Sequence, residues 1–460
     1  MDYESFIADK SIRNIDAGFV PDESRYPDAM FPHQSVSVTW ACKRGRAGIF
    51  FDTGLGKTLA QLTWADQVRE ETQGNVLILA PLAVTRQTCR EGDRFGIPCT
   101  YVEYQDDIYG PGIYVTNYEK IHHFDCSTFS GVVLDESSIL KGMDGKMRRL
   151  ITDSFAATPY KLSCTATPSP NDFMELGTQS EFLGIMTQIE MLAMFFVHDG
   201  SDTSKWRLKG HGKSKFWEWL ATWSIFITSP SDLGFDSTGY DLPAIEYHEH
   251  VLETIPTDGL FADVAQSLTE RNKARRDSLH DRCKLAADIV NRLDEPAIIW
   301  CHLNDESQML SVLIADSVEV KGSDKSKHKE NALLGFSDGK IKALVTKPKI
   351  AGFGMNWQNS RHCVFVGLSD SWESFYQAIR RQWRFGQTKT VHVHVISADT
   401  EGAVVANIKR KDQQHKEMSD AMMEHMRDLV QKNVLGATIE KTDYLPCVDM
   451  LIPDYIHTQP

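Results

Sequence analysis

Phe51-Asp52-Thr53-Gly54-Leu55-Gly56-Lys57-Thr58 holds the residue types that can grip a chain of phosphates. Backbone N–H groups at a helix start face an anion, glycines let it approach, and a lysine offers a point charge to the β- and γ-phosphates. Lys57 fits that last role, Thr53, Gly54 and Gly56 build the loop, and Thr58 offers a hydroxyl to Mg2+. The usual pattern begins with a glycine where this chain has Phe51. Farther on, Val132-Val133-Leu134-Asp135-Glu136 ends an apolar run in two carboxylates. At the end of a buried strand such a pair suits a cation and a reacting water better than it suits packing. Asp135 is the candidate Mg2+ ligand and Glu136 the candidate base for the attacking water. Within Gln377 to Gln387, Arg381 and Arg384 stand three apart, so on a helix both guanidinium groups would share a face and could clamp a phosphoryl group. Each pattern alone has a plain alternative: a Gly-rich turn with a surface lysine, a strand-to-loop transition, a solvated basic face. Their order in one chain points to ATP and Mg2+.

The elements that must position these residues are legible as short β-rich apolar runs alternating with longer amphipathic stretches, the pattern of parallel βαβ units with both sheet faces covered. The class is α/β. Strands are predicted at Ala47 to Phe51, Val76 to Ala80, Ile113 to Thr116, Val132 to Leu134 and Tyr160 to Ser163. A second set is predicted at Ala297 to Trp300, Ser317 to Val320, Ile341 to Val345, His362 to Gly367 and Val391 to Val395. Between the sets, Asp199 to Leu242 breaks into Gly, Ser, Asp and basic residues, which predicts an interdomain connection. Beyond about Val404 the chain turns charged and helical from Ile408 to Val430, then irregular from Gly436.

A chain of 460 residues with 42% hydrophobic residues exceeds one core, so two domains are expected. The N-terminus lacks a basic stretch followed by an apolar one, and the run Met191 to Val197 is too short to cross a bilayer, so a cytoplasmic protein with no membrane partner is expected. Nine cysteines without a CxxC pair predict reduced, mostly buried thiols. A net charge of -14 argues against a surface that coats nucleic acid throughout, but leaves room for a local basic track. Lys205, Arg207, Lys209, Lys213 and Lys215, with no acid among them, are the candidates for that track, and a solvated loop is the equal alternative.

The order of these motifs resembles superfamily 2 helicases, specifically their Snf2-like branch, from residue 31 to about 398. Phe31-Pro32-His33-Gln34 resembles the Q motif, whose glutamine reads adenine. Members of the branch also lack the first glycine of the phosphate loop, so Phe51 fits. Leu77 to Pro81 is similar to motif Ia, Val115 to Glu119 to the later strand-contacting motif, and Leu134 to Ser138 with Leu140-Lys141-Gly142 to motif II. Thr165-Ala166-Thr167-Pro168 with Asn171 is similar to motif III, Ala297 to His302 to motif IV, Gly352 to Trp357 to motif V, and Gln377 to Gln387 to motif VI. Ser138 stands where many members carry His or Asp, and Pro348 where the branch usually has Thr.

The resemblance implies two tandem RecA-like domains with an ATP cleft between them: an extension at 1–30, the first domain at 31–198, a connection with a basic loop at 199–241, the second domain at 242–404, and a C-terminal helix and tail at 405–460. It implies that Gln34, Lys57, Thr58 and Gly354 hold the nucleotide, that Arg381 and Arg384 complete the site on closure, and that Lys349 and Asn356 contact nucleic acid. The expected activity is ATP-driven movement along DNA, with duplex DNA as the partner, without strand separation. Short spacing between motifs III and IV suits a compact prokaryotic or phage motor in replication, recombination or defence, monomeric when free, with any nuclease or replication partner supplied in trans. A strand-separating DNA or RNA helicase is the nearest rival, its pin hidden in Asp199 to Leu242. A P-loop kinase or metabolic ATPase would not need the arginine pair, and an inactive binding module would be expected to have lost Lys57, Glu136 or the arginines.

Overall fold

The computed structural model describes residues 17–141, 145–169, 172–199, 202–253, 276–351, 355–369, 371–399 and 402–435. Apolar β-branched and aromatic runs form nine strands in the first part of the chain: β1 (Arg46–Phe51), β2 (Asn75–Ala80), β3 (Thr100–Tyr101), β4 (Ile113–Asn117), β5 (Phe129–Asp135), β6 (Tyr160–Cys164), β7 (Phe196–Asp199), β8 (Asp202–Leu208) and β9 (Ser224–Ile227). Six more follow: β10 (Ile245–Leu252), β11 (Ala297–Cys301), β12 (Ser317–Glu319), β13 (Ala343–Thr346), β14 (His362–Val366) and β15 (Val391–Ala398). All ten runs read as strands in the sequence are strands.

Two large sheets result, in the orders β3-β4-β2-β5-β6-β1-β9 and β10-β15-β14-β11-β13-β12. Every pair within them is parallel. Central strands such as β4, β11 and β14 are buried along their whole length, which is why they read as continuous apolar runs rather than as alternating ones. Helices flank both sheets, and the architecture is two RecA-like α/β units. In open parallel sheets, ligands gather beyond the carboxyl ends of the strands. In the first sheet the order β5-β6-β1 brings three such ends together: the phosphate loop after β1, Thr165 after β6, and Asp135 at the end of β5.

The stretch expected as a connection, 199–241, carries more structure than its composition suggested. Beyond the antiparallel hairpin β7–β8, the helix Lys213–Trp223 buries Phe216, Trp217, Trp219 and Trp223. The following strand, β9, hydrogen-bonds to β1, with Gly48 opposite Ser224. Four residues are too few to show periodicity, and they run on without a break from the apolar end of the preceding helix. The edge strand β10 was also missed, because its exposed alternation, Ile-Glu-Tyr-His-Glu-His, reads as polar chain.

The C-terminal helix runs from Gly402 to Val434, longer than the predicted Ile408 to Val430. Its first turns bury Val404 and Ile408 in the second unit's core, while Met422, Met426 and Val430 join the core of the first. At 1.5 Å per residue such a helix is about 50 Å long, enough to span both units. Arg427 pairs with Asp232 at 2.8 Å, and Gln431 donates to the Asp232 carbonyl at 2.9 Å, fixing the far end. Among the described residues, no helix is long and apolar enough to cross a membrane. Six of the eight described cysteines are buried, and all eight are free thiols.

Candidate active site between the two sheets

The phosphate loop leaves β1 and enters the helix Lys57–Thr72. Gly54 and Gly56 adopt φ of +95° and +79°, the left-handed region where a side chain is strained. Space confirms the need for glycine: a Cβ on Gly56 would come within 2.0 Å of the Gln34 amide nitrogen, and one on Gly54 within 3.0 Å of the Phe385 backbone nitrogen. Lys57 lies at the helix start with its ammonium donating to the Phe51 carbonyl at 3.1 Å. Glycine-lined amides at a helix N-terminus beside a lysine make a cradle of the size and charge of a phosphate.

Asp135 is nearly buried, and burial, followed by the neighbouring Glu136 charge, pushes its carboxyl up to about 7. A divalent cation would reverse that push. Tyr118 donates to the Asp135 carbonyl at 2.8 Å and holds the strand end in place. Glu136 has φ of +53°, a conformation that costs a non-glycine residue on the order of 1 kcal/mol or more and tends to mark functional positions. The Thr165 hydroxyl donates to its carboxylate at 3.4 Å, so the segment after β6 touches the proposed base.

Arg381 and Arg384 reach the same cavity, though not by the helical route expected. The helix Trp372–Ile379 ends at Arg380, and residues 381–386 form successive turns. Gln382 drives this departure: its amide donates to Ser360 Oγ at 2.6 Å and to the His362 carbonyl at 2.9 Å, pulling the chain onto β14. Arg381 Nε donates to the Gln377 carbonyl at 3.0 Å, and Arg384 Nη1 to the Met355 carbonyl at 3.3 Å. Burial, then the Arg384 charge, pulls the Arg381 guanidinium down to about 9. Burial likewise pulls Arg384 down to about 10, and its Nε has no hydrogen-bond partner. Two crowded cations, Arg381 buried and Arg384 half-buried, with Glu136 and Glu91 as the acids that partly offset them, fit an incoming polyanion.

One cavity of about 370 Å³ is lined by Thr53, Gly54, Gly56, Lys57 and Thr58, by Asp135 and Glu136, and by Arg381 and Arg384. That volume suits a small-molecule ligand. The cavity wall also includes Phe31, Tyr240 and Phe385. Tyr240 and Phe385 rings lie 4.6 Å apart, and Phe31 meets them edge-on at 5.8 and 6.0 Å. Neither Tyr240 nor Phe385 was singled out in the sequence, since isolated aromatics carry no spacing signal. Gln34 lines the cavity, but its amide bridges the backbone, accepting from Phe31 N–H at 3.0 Å and donating to the Leu55 carbonyl at 2.8 Å. It shapes the phosphate loop.

Contacts across the cleft were also invisible in the sequence. Asp52 ion-pairs with Arg380, and Tyr376 Oη donates to Asp52 Oδ1 at 3.1 Å. Glu373 accepts from Ser138 Oγ at 3.0 Å and from Thr167 Oγ1 at 3.3 Å. Ser138 thus meets Thr167 through a carboxylate on the helix Trp372–Ile379 of the other unit.

The nucleic-acid candidates are scattered. Arg207 and Lys213 are exposed, whereas Lys209 donates to the Ala193 and Met194 carbonyls at 2.8 and 2.9 Å, and Lys215 pairs with Glu218 at 2.6 Å. The last two are therefore spent locally, Lys209 on the C-terminal carbonyls of the helix Gln188–Phe195. Lys205 lies in β8, and nothing is described of its side chain. Lys349 is exposed beside a second cavity of about 390 Å³ with His302 and Lys347. Asn356 lines the cavity of the arginine pair, not that second one, because the chain after residue 354 passes beneath Arg384. Gly354 lies outside the described residues.

Residues 281–386 match the helicase conserved C-terminal domain, a RecA-like fold. The match takes in β11 to β14 and ends just past Arg384. This part of the chain is similar to the C-terminal domain of helicases. No curated protein matches the chain.

Proposed function

We propose that the chain, its second unit built around a helicase-type domain, is a Snf2-like superfamily 2 motor that hydrolyses ATP to move along duplex DNA without separating the strands. The observation that carries this reading is the meeting of Lys57, Asp135 and Glu136 with Arg381 and Arg384 around one cavity, from two different sheets. A kinase or metabolic ATPase would have no need of the second-sheet arginines, and an inactive module no need of Glu136 beside them.

The residues divide the work by position. Loop amides and Lys57 hold the β- and γ-phosphates, and the aromatic wall of Phe31, Tyr240 and Phe385 takes the base. Thr58 and Asp135 would hold Mg2+, which when bound offsets phosphate charge. Glu136, steadied by Thr165, accepts the proton of the attacking water. Arg381 and Arg384 stabilise charge on the transferring phosphoryl group, and they do so only while the cleft is closed. Turnover then opens and shuts the cleft, and each cycle shifts one unit along the track.

Exposed Arg207, Lys213 and Lys349 are the contacts we assign to phosphates of the track, which makes binding indifferent to sequence. Replication, recombination or defence in a bacterium or phage fits so compact a motor. ATPase assays with duplex DNA, single-stranded DNA and RNA in parallel, alongside a strand-displacement assay, test the reading. Duplex DNA should stimulate most, with no strand released. Stimulation confined to single strands, with displacement, would make the protein a strand-separating helicase instead.

A further inference from the structure

Five histidines gather on one face of the second sheet, far from any use in the nucleotide cleft. In the parallel pair β10–β15, Glu246 lies opposite His392 and His248 opposite His394, and β14 sets His362 opposite His392. Alternate residues of a strand share a face, so Glu246, His248 and His250 stand on the same side as His392, His394 and His362. Their rings stack in a ladder, His248 on His394 at 4.6 Å and His362 on His392 at 5.2 Å.

Within this ladder three donor atoms converge. His248 Nε2 lies 3.2 Å from His392 Nδ1, that nitrogen lies 3.3 Å from Glu246 Oε2, and the triangle closes at 3.9 Å between Glu246 Oε2 and His248 Nε2. A tetrahedral zinc ion bound at about 2.0–2.1 Å keeps its ligand atoms roughly 3.3 Å apart, so the triangle is close to the size such an ion requires. The side chains of Glu246, His248 and His392 are 56%, 37% and 22% exposed, so an ion can enter from solvent. Two imidazole nitrogens with one carboxylate oxygen favour a borderline transition metal over Mg2+ or Ca2+, which prefer oxygen alone.

We propose that Glu246, His248 and His392 bind one divalent transition-metal ion of the zinc class and so tie the edge strand β10 to β15. With three protein ligands, a fourth position stays open to water or an exogenous ligand. Among the described residues, strand β10 has a hydrogen-bonded neighbour on one side only, and a metal bridge through its side chains adds a second tie to the sheet. The neighbouring pair, His250 Nε2 and His394 Nδ1, has the same 3.2 Å spacing but no third donor converging on it among the described residues. It is a built-in control, and the site neither uses nor depends on the nucleotide cavity.

The test is calorimetric titration of the chelator-treated full chain with Zn2+, with Co2+ absorption as a second readout. Wild-type protein should bind one Zn2+ per chain with Kd on the order of micromolar or tighter and give the visible bands of tetrahedral Co2+. Both His248→Ala and Glu246→Gln should weaken binding by at least about tenfold, whereas His250→Ala should change it by less than about twofold. Glu246 sits on the exposed edge, so its amide variant tests ligation without disturbing the fold. No stoichiometric Zn2+ binding by wild type, equal affinity in both ligand variants, or an equal loss in His250→Ala would overturn the three-ligand site.

Discussion

Asp52 and Arg380, 328 positions apart in the chain, form a buried ion pair that locks the phosphate loop to the segment carrying Arg381 and Arg384. Burial alone would raise the Asp52 carboxyl, but the Arg380 guanidinium, the Thr53 backbone N–H and the Lys57 ammonium together outweigh it and hold the group below its ordinary value. A carboxyl so depressed stabilises the closed form above its ordinary value of 3.8, and that contribution fades only as pH falls through the lower closed-form value. The contribution of this group to closure is therefore fully present, and independent of pH, around neutrality.

Removing one partner should be costly because it strands the other. Arg380→Ala takes the cation from a partly buried Asp52 that keeps only the Tyr376 hydroxyl and the Thr53 N–H as donors, a defect of about 1–3 kcal/mol that applies only to the closed form. Each unit should keep its fold, with circular dichroism unchanged, while turnover falls steeply. The double variant Asp52→Asn with Arg380→Ala should recover part of the loss, and a double-mutant cycle measures how much. Simple additivity of the two changes would deny the pair its coupling role.

Glu136→Gln should bind ATP and fail to cleave it, since an amide cannot accept the water's proton. The variant keeps hydrogen bonding to Thr165, so the local backbone should survive. Equilibrium nucleotide binding beside single-turnover hydrolysis separates the two steps, and wild-type cleavage would remove Glu136 from the role of base.

Replacing Arg381 or Arg384 with Ala removes one of two crowded cations, so stability should hold or rise slightly while catalysis collapses. Arginine fingers contribute on the order of 10³ to 10⁵ in rate, and a loss toward that range is expected. Nucleotide affinity should fall far less than turnover, because Lys57 and the loop remain. A variant fully stimulated by DNA would contradict the shared site.

Glu373 links Ser138 and Thr167 from across the cleft, so it should couple closure to the segment that steadies Glu136. Glu373→Ala is expected to lower DNA-stimulated turnover about tenfold, the equivalent of roughly 1.4 kcal/mol, while basal activity changes little. The ratio of stimulated to basal ATPase reads this directly. An unchanged ratio would leave the contact structural only.

Met426 lies in the first unit's core although its helix starts on the second. Met426→Asp should detach the far end of that helix by burying an unpaired charge. Small-angle scattering should then show a wider spread of separations between the units, with ATPase stimulation reduced. Unaltered scattering would mean the helix does not brace them.

The sequence by itself determined ten of the strands, the α/β class and the three chemical motifs, because each is local: an apolar run, a glycine loop before a helix, carboxylates at a strand end. That Lys57, Asp135 and Glu136 are neighbours was only implied by the resemblance, and the strand order β5-β6-β1 is what brings their strand ends together. The sequence could not reveal Tyr240 and Phe385 as one aromatic wall, or Glu373 as the bridge between Ser138 and Thr167. Those pairs join distant segments and leave no spacing to read. The arginine pair shows both sides: its residue types were legible, but the helix proposed to align it ends at Ile379. Tertiary hydrogen bonds from Gln382 to Ser360 and His362 override the local helical tendency and turn both guanidinium groups into the cleft. Lys209 makes the converse point, a basic residue whose charge the fold spends on two helix carbonyls. Type and spacing decide what a residue can do, and only packing decides what it faces.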